Sequence, residues 1–395
     1  MSNKNCPICK NKNISKVLGV KNFPYFTAPI NKDVIDRDKI SNKVHSLNVV
    51  SCKKCSHLFL SKIPNLNLLN NLYDKYYNYP SPIKGIFKPE RDDNFIKIFL
   101  KNNKNKKKQS IFEVGCYDGY ILKKLSEKGY KVLGCDPSKG ALIGKKMGIP
   151  IRKEFFNSSL YKYEKYDFVI TRHLIEHIVN PIDWLKNLLK VLKDDGKLVI
   201  ETPNVDFFLK RGLPSVFSLQ HLQYFTKYSL SILLNNLNCK VEKIYKSNEN
   251  LIFFVKKNKK SKKKIKIKNN NKENLKKFRN KYLITKKMLQ KEVMKNNVKK
   301  ISVWGAGGFG SVVHLFYELP AKKISFYVDS DPKKTKMRFL TSNASIYNKS
   351  YLRVRKPHII VITSLYGTQI LKSLKNENLE VKVINLFPKT KIYQI

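Results

Sequence analysis

Ile111-Phe112-Glu113-Val114-Gly115-Cys116-Tyr117-Asp118-Gly119-Tyr120 is the stretch from which the fold is read. Ile111 to Val114 has the apolar, β-branched and aromatic character of a strand, and Tyr120 to Lys128 reads as a helix. The glycines between them let the backbone turn sharply and come close to a ligand. Lys131 to Cys135 predicts a second strand, which ends in Asp136. A carboxylate there, roughly 20 residues past the glycine turn, can accept hydrogen bonds from ribose hydroxyls. The plainer alternative is a turn in some other α/β protein, with Asp136 capping a helix.

Working outward, Tyr166 to Thr171 predicts a strand. Pro181 to Leu192 predicts a helix ending at Asp195-Gly196, and Lys197 to Glu201 a further strand. Thr226 to Leu237 reads as a helix, followed by strands at Lys240 to Tyr245 and Leu251 to Val255. This alternation implies an α/β fold with a mostly parallel, doubly wound sheet. The ExGxxxG pattern from Glu113 to Gly119 resembles the first motif of class I S-adenosylmethionine-dependent methyltransferases, and the closing helix and hairpin resemble the end of their seven-stranded sheet. The resemblance assigns Glu113, Gly115, Gly119 and Asp136 to the cofactor S-adenosylmethionine. Arg172-His173-Leu174-Ile175-Glu176-His177 is similar to the region of that family lining the cofactor pocket, which puts Arg172 and His173 at the cofactor edge. Glu176 and His177 invite a metal reading, but no partner motif completes one, and helix-surface or capping roles are commoner. No second metal is expected.

Two further units flank this core. Cys6-Pro7-Ile8-Cys9 and Cys52-Lys53-Lys54-Cys55 each place two thiolates on a tight turn, together supplying the corners of a tetrahedral zinc site. Four cysteines leave no open position, so Cys6, Cys9, Cys52 and Cys55 are assigned a structural zinc. A nucleic-acid-binding zinc ribbon is the rival use of the same ligands. Ile301 to Trp304 predicts a strand, and Gly305-Ala306-Gly307-Gly308-Phe309-Gly310 is a GxGxxG turn with a following strand ending at Val328-Asp329. It reads as a nucleotide site, with nicotinamide binding through Asp329 and a purely packing role as alternatives. Lys256 to Asn274 is a Lys/Asn tract without apolar periodicity. Beyond it Leu275, Phe278, Tyr282, Leu289 and Val293 recur at near-helical spacing, as an interdomain amphipathic helix would.

Composition bounds the partners. The chain of 395 residues carries a formal charge of +50, from 79 Lys and Arg against 29 Asp and Glu, with 42% hydrophobic residues. Its length gives room for about two or three domains. The lysine is spread along the whole chain beside Asn and Ile, so nucleic acid is the less favoured partner, although the charge would steer an anionic substrate inward. Apolar runs are too short to span a bilayer, and the paired CxxC turns fit a reducing compartment, so no membrane and a cytoplasmic location are expected.

Together these pieces resemble the sugar C-methyltransferase family. The resemblance implies a zinc-binding N-terminal module over residues 1–82, a class I methyltransferase domain over 83–256, a basic linker and helix over 257–299, and a Rossmann-like domain over 300–395. It also implies a nucleotide-linked keto-deoxysugar as substrate, methylated next to the ketone through an enolate, with Gly305, Gly307 and Gly310 helping to hold the nucleotide-sugar. The family's Tyr-x-Glu-His segment corresponds here to Ser218-Leu219-Gln220-His221, which leaves His221 as candidate base and Gln220 as a hydrogen-bonding partner; a structural histidine is the alternative. Tyr77-Asn78-Tyr79-Pro80-Ser81 matches the family's tyrosine-rich stretch, so Tyr77 and Tyr79 are candidate active-site phenols, or an aromatic packing patch. The missing glutamate also fits O- or N-methylation of a sugar or small metabolite, and zinc with positive charge fits a nucleic-acid-binding or RNA-modifying protein.

Overall fold

A computed structural model describes residues 4–40, 43–76, 90–103, 108–247, 249–258, 268–377 and 379–395. The chain opens with β1 (Ile14–Pro24), β2 (Ile30–Asn31), α1 (Lys32–Asp38), β3 (Val44–Cys52), β4 (Leu58–Leu60) and α2 (Leu66–Tyr76). β1 pairs antiparallel with β3 from Ile14↔Cys52 to Pro24↔Val44, and β4 extends that sheet from Val49↔Leu60 to Ser51↔Leu58. Alternating burial along β1 and β3 turns Leu18, Val20, Leu47 and Val49 to one side, as period-two side chains must.

The central sheet follows α3 (Glu90–Asn102). It uses β5 (Ser110–Val114), α4 (Tyr120–Ser126), β6 (Lys131–Cys135), α5 (Lys139–Lys146), β7 (Ile151–Arg152), β8 (Tyr166–Arg172), α6 (Pro181–Lys190), β9 (Leu192–Pro203), α7 (Val205–Arg211), β10 (Gln223–Tyr224), α8 (Lys227–Asn236), β11 (Cys239–Lys246) and β12 (Asn250–Lys257). Seven of these strands pair in the order β11-β12-β9-β8-β5-β6-β7. The pairs on either side of β5 are parallel, while β12 runs antiparallel to both β9 and β11. This is the class I methyltransferase arrangement, a doubly wound sheet closed by an antiparallel hairpin, with apolar layers on both faces. The expected helix end and turn near Asp195-Gly196 are corrected: α6 stops at Lys190, and β9 already pairs at Leu192 with Tyr166. Gly196 lies inside β9, where a Cβ would come 3.0 Å from the carbonyl oxygens of Tyr166 and Asp167, so the absent side chain admits close strand approach.

The last unit contains α9 (Asn271–Val293), β13 (Ile301–Trp304), α10 (Gly308–Tyr317), β14 (Ile324–Val328), β15 (Met337–Arg338), β16 (Ile346–Tyr347), α11 (Tyr351–Arg355), β17 (Ile359–Ile362), α12 (Gly367–Lys375), β18 (Lys382–Asn385) and β19 (Lys391–Gln394). Its sheet runs β16-β14-β13-β17-β18-β19, parallel except for the last strand, which is the strand order of a dinucleotide-binding fold. α9 begins at Asn271, inside the Lys/Asn tract, and buries Phe278, Leu289 and Val293.

The cores cross the expected boundaries. α7 and the segment up to β10 leave the central sheet, and β10 joins the N-terminal sheet by pairing with β4. Val205, Phe208, Leu213, Phe217 and Leu222 then share one apolar core with Leu18 and Phe23 of β1, Phe278 of α9 and Val303 of β13. β15 pairs with β2, tying the first and last units a second time. Among the described residues, no helix is long and apolar enough to cross a membrane.

Candidate functional site

At the mouth of β5 the chain turns through left-handed backbone at Gly115 (φ 79°) and Gly119 (φ 75°). At Gly119 a side chain would be strained twice, since a Cβ would also stand 2.8 Å from Ile151 Cδ1. The turn borders a cavity of about 890 Å³ that takes Glu113, Gly115, Tyr117, Ser138, Arg172 and His173 from the central sheet, and Asn70, Asn71, Tyr73 and Asp74 from α2. The N-terminal module therefore forms one side of the cavity. The α2 residues escaped the sequence reading, although α2 does bury Leu69 and Leu72 while leaving polar positions between them.

Buried charge surrounds the turn. Glu113 is 3% exposed, and its Oε2 has no hydrogen-bond partner among the described residues. Burial raises its pKa to about 8, against the opposing pull of Arg172. Arg172 itself bridges Glu201 Oε2 at 2.6 Å and Asp92 Oδ1 at 2.9 Å, with its guanidinium over the Phe95 ring. Removal from water works against this charge, but Glu201, Asp92 and Glu113 together hold its pKa above the usual range. Asp92 and Glu201 are site residues that local patterning could not supply, because they meet Arg172 only in the folded chain. Asp136 has its carboxylate between two backbone donors, Tyr117 N–H and Ser138 N–H, both at 2.8 Å. It lies behind the turn; the cavity wall is made by its neighbours Pro137 and Ser138, and Gly119 also lies outside that wall.

Beside the cavity, His173 sits in left-handed backbone (φ 49°) with Nδ1 3.4 Å from Glu176 Oε1. Its pKa is raised by Glu176 and Glu201 in spite of burial. Glu176 is held down to about 2: burial opposes its charge, and the surrounding histidines, His173 foremost, outweigh that cost. His221 comes from the segment before β10, with Nδ1 3.2 Å from the Val216 carbonyl, and its ring centroid is 5.0 Å from that of His177. Burial first, then His177, lowers the pKa of His221 to about 4. Gln220 enters this cluster through its main chain, its carbonyl lying 2.9 Å from His177 Nδ1. Tyr77 and Tyr79 lie outside the described residues.

The cysteines converge as their spacing predicted. Cys6 Sγ lies 3.4 Å from Cys55 Sγ, and Cys9 Sγ 3.5 Å from Cys52 Sγ, with all four sulfurs within 4.8 Å of one another. Tetrahedral ligands at ~2.3 Å from zinc stand about 3.8 Å apart, so the four thiols fit the ion closely. The hydrogen bond with Cys55 lowers the Cys6 pKa, against the opposing effect of burial.

The second glycine turn borders a cavity of about 780 Å³ lined by Gly305, Gly307, Gly310, Asp329, Lys334 and Lys349. A Cβ at Gly310 would fall 2.0 Å from the Gly305 carbonyl oxygen, so the turn needs glycine there. Asp329 accepts from Ala306 N–H (2.8 Å) and Asp331 N–H (3.0 Å), much as Asp136 does, and also pairs with Lys334 at 2.9 Å.

The sheet order and the first cavity define an α/β protein of the class I methyltransferase type. Residues 89–244 match the family model for a methyltransferase domain, and residues 246–378 match that for a C-methyltransferase C-terminal domain. Among curated proteins, the chain is 24% identical over 132 residues to a ubiquinone biosynthesis O-methyltransferase of Aliivibrio fischeri, covering 31% of this chain and 56% of that protein. It is 33% identical over 122 residues to a tRNA U34 carboxymethyltransferase of Helicobacter acinonychis, covering 27% and 45%. The chain thus spans about half the length of these relatives. The magnesium protoporphyrin IX methyltransferase of Synechocystis, solved with bound S-adenosylmethionine, aligns at 10% identity and a TM-score of 0.37, over 49% of this chain and 98% of that one.

Proposed function

We propose that the chain is a cytoplasmic S-adenosylmethionine-dependent methyltransferase acting on carbon, and that its acceptor is a nucleotide-linked keto-deoxysugar methylated beside the ketone. The observation carrying this reading is the succession, in one chain, of a methyltransferase-domain match and a C-methyltransferase C-terminal match. S-adenosylmethionine supplies an electrophilic methyl, transferred as its C–S bond breaks and the new C–C bond forms. Gly115 brings the backbone of the turn to the cavity, Gly119 closes the turn against Ile149 and Ile151, Glu113 offers its unpartnered oxygen, and Arg172 and His173 form the cavity edge. Asp136 holds the turn through the Tyr117 amide and accepts a second hydrogen bond from the Ser138 amide, and its remaining lone pairs suit ribose hydroxyls.

The carbon acceptor must first lose the acidic proton next to its ketone. His221 is the proposed acceptor of that proton: a carbonyl can only accept, so the Val216 contact fixes the hydrogen on Nδ1 and leaves the lone pair on Nε2. Gln220, Tyr77 and Tyr79 are proposed to bind the sugar. The second glycine turn, with Lys334 and Lys349 beside it, is proposed to take the nucleotide diphosphate. The four cysteines hold a structural zinc.

The test is transfer of isotope-labelled methyl to a panel of nucleotide 4-keto sugars in heavy water, read by mass spectrometry. Methyl gain on carbon with loss of the hydrogen next to the ketone, together with exchange of that hydrogen for deuterium in substrate recovered when the cofactor carries no transferable methyl, is the expected result. The curated relatives named as O-methyltransferases favour a second reading, transfer to oxygen. Methyl recovered on a hydroxyl without deuterium exchange would establish that reading and remove the first. Methyl gain on RNA alone would move the acceptor to nucleic acid.

A further inference from the structure

Asn70, Asn71 and Asp74 of α2 line the first cavity, whose sheet side carries Glu113, Gly115 and Ser138. Asn70 and Asp74 stand one helical turn apart with Asn71 beside them, so the three share one face of α2. Leu69 and Leu72 bury the other side of the helix, and the Tyr73 ring packs against Phe26 with centroids 4.6 Å apart. At the end of the helix Lys75 Nζ and Tyr76 Oη both meet Asp38 Oδ2 at 3.1 Å. These contacts hold α2 as a fixed wall and leave its polar face to the cavity. The other charged groups nearby are committed to one another: Arg172 bridges Asp92 and Glu201, Arg91 Nε stands 3.9 Å from Asp92 Oδ1, and Lys75 is taken by Asp38. Asn70, Asn71 and Asp74, by contrast, are exposed and have no hydrogen bond or ion pair among the described residues. The chain has 79 Lys and Arg against 29 Asp and Glu, yet no described cation covers Asp74, and its oxygens can exchange water for a ligand.

We propose that Asn70, Asn71 and Asp74 bind the methyl acceptor and set its specificity, as a wall that reads hydrogen-bond donors on a polyhydroxylated group. The assignment rests on the methyl-transfer reading. Each asparagine amide offers two donors and an acceptor oxygen, which suits hydroxyls that both give and receive hydrogen bonds. Asp74 only accepts, so it pairs with a donor on the acceptor molecule, a hydroxyl or a protonated amine. The same carboxylate repels a carboxylate or phosphate brought to that face, and the wall therefore selects a neutral or cationic group against an anionic one. The anionic part of a nucleotide-linked acceptor is drawn instead to the second glycine turn, where Lys334 and Lys349 stand. The N-terminal module thus contributes specificity to a reaction whose cofactor is held by the central sheet.

The experiment measures kcat and KM of the full chain and its variants on the panel of nucleotide 4-keto sugars, beside calorimetric titration of S-adenosylhomocysteine, the cofactor without its methyl. Asp74→Ala is expected to raise the acceptor KM about 10-fold or more, the worth of a hydrogen bond to a charged group. Its kcat should stay within about 3-fold, as loss of uniform binding requires. The Asn70→Ala/Asn71→Ala double variant should raise KM by about 5-fold or more, from neutral hydrogen bonds. S-adenosylhomocysteine affinity stays at the wild-type value in every variant, which reports an intact fold and separates the wall from the cofactor. Asp74→Asn keeps an acceptor oxygen: a KM near wild type identifies the donor as a hydroxyl, and a loss as large as that of Asp74→Ala identifies a protonated amine. An acceptor KM unchanged in both Asp74→Ala and the double variant, or a fall in S-adenosylhomocysteine affinity, overturns the proposal, while methyl gain on a sugar keeps the methyl-transfer reading. If no nucleotide sugar is methylated, the variants are scored on free sugars and polyols, where the same KM shift keeps the wall and removes the nucleotide sugar. Methyl transfer to RNA alone, or to no small acceptor, overturns both.

Discussion

Replacing Glu113 by Gln isolates the cost of burying this carboxyl at the end of β5. Its pKa moves from an ordinary 4.5 to about 8, chiefly because burial penalises the charged form. Between these values the folded chain keeps a proton that the unfolded chain has released. Unfolding therefore releases a proton, and stability falls as pH rises through this window, then levels off above the folded pKa. Each pH unit costs about 1.4 kcal/mol, so the climb from about pH 5 to about pH 7 costs ~3 kcal/mol. Glutamine has nearly the same shape and no proton to lose, so the variant's stability relative to the parent rises by that amount over the same interval. The chain has two tryptophans, Trp184 on α6 and Trp304 on β13. In a Trp304→Phe background, Trp184 on α6 is the sole tryptophan and its fluorescence follows urea unfolding of the layer packed on the central sheet. A stability difference between the Glu113→Gln variant and its parent that stays flat from about pH 5 to about pH 7 would refute the reasoning.

Other outcomes follow from the same geometry. Asp136→Ala removes the acceptor for Tyr117 N–H in the first glycine turn and the acceptor for Ser138 N–H ahead of α5, and should cost about 3 kcal/mol in central-domain stability, from two charge-assisted hydrogen bonds; S-adenosylmethionine affinity measured by calorimetry should fall with it. Arg172→Met leaves Asp92 and Glu201 facing each other without their shared cation, and is expected to lower stability by about 3–5 kcal/mol in urea unfolding. Gly310→Ala forces a Cβ onto the Gly305 carbonyl, so Trp304 fluorescence in a Trp184→Phe background should report a C-terminal unit weakened by at least ~1–3 kcal/mol in urea unfolding. Cys52→Ser should remove the zinc measured by elemental analysis from the purified chain, because three thiolates no longer close the tetrahedron.

The strands Lys131 to Cys135 and Ile301 to Trp304, the two glycine turns and the closing hairpin were legible in the sequence, because each is written in local periodicity and in residues whose conformational needs are their own. The cysteine cluster was legible for a related reason: a CxxC turn sets two ligands by itself, and only the meeting of two turns had to be inferred. The β9 start was misread because Asp195-Gly196 has the composition of a turn, while the pairing of Leu192 with Tyr166 and the tight approach of Gly196 to that strand override it. Tyr77 and Tyr79, read from their resemblance to a tyrosine-rich stretch, stand outside the described residues.

What the sequence alone determined is the order and type of elements, hence two doubly wound sheets and a cysteine module, since hydrophobic period and turn chemistry act over a few residues. What only the tertiary structure decided is which distant groups meet. Asp92 and Glu201 close on Arg172, β10 leaves the central domain to complete the N-terminal sheet, α2 walls the cavity, and His221 arrives beside Glu176 and His177. Those encounters depend on how α7 and the segment after it pack into a core shared by three parts of the chain, and packing over such separations leaves no local periodic signal.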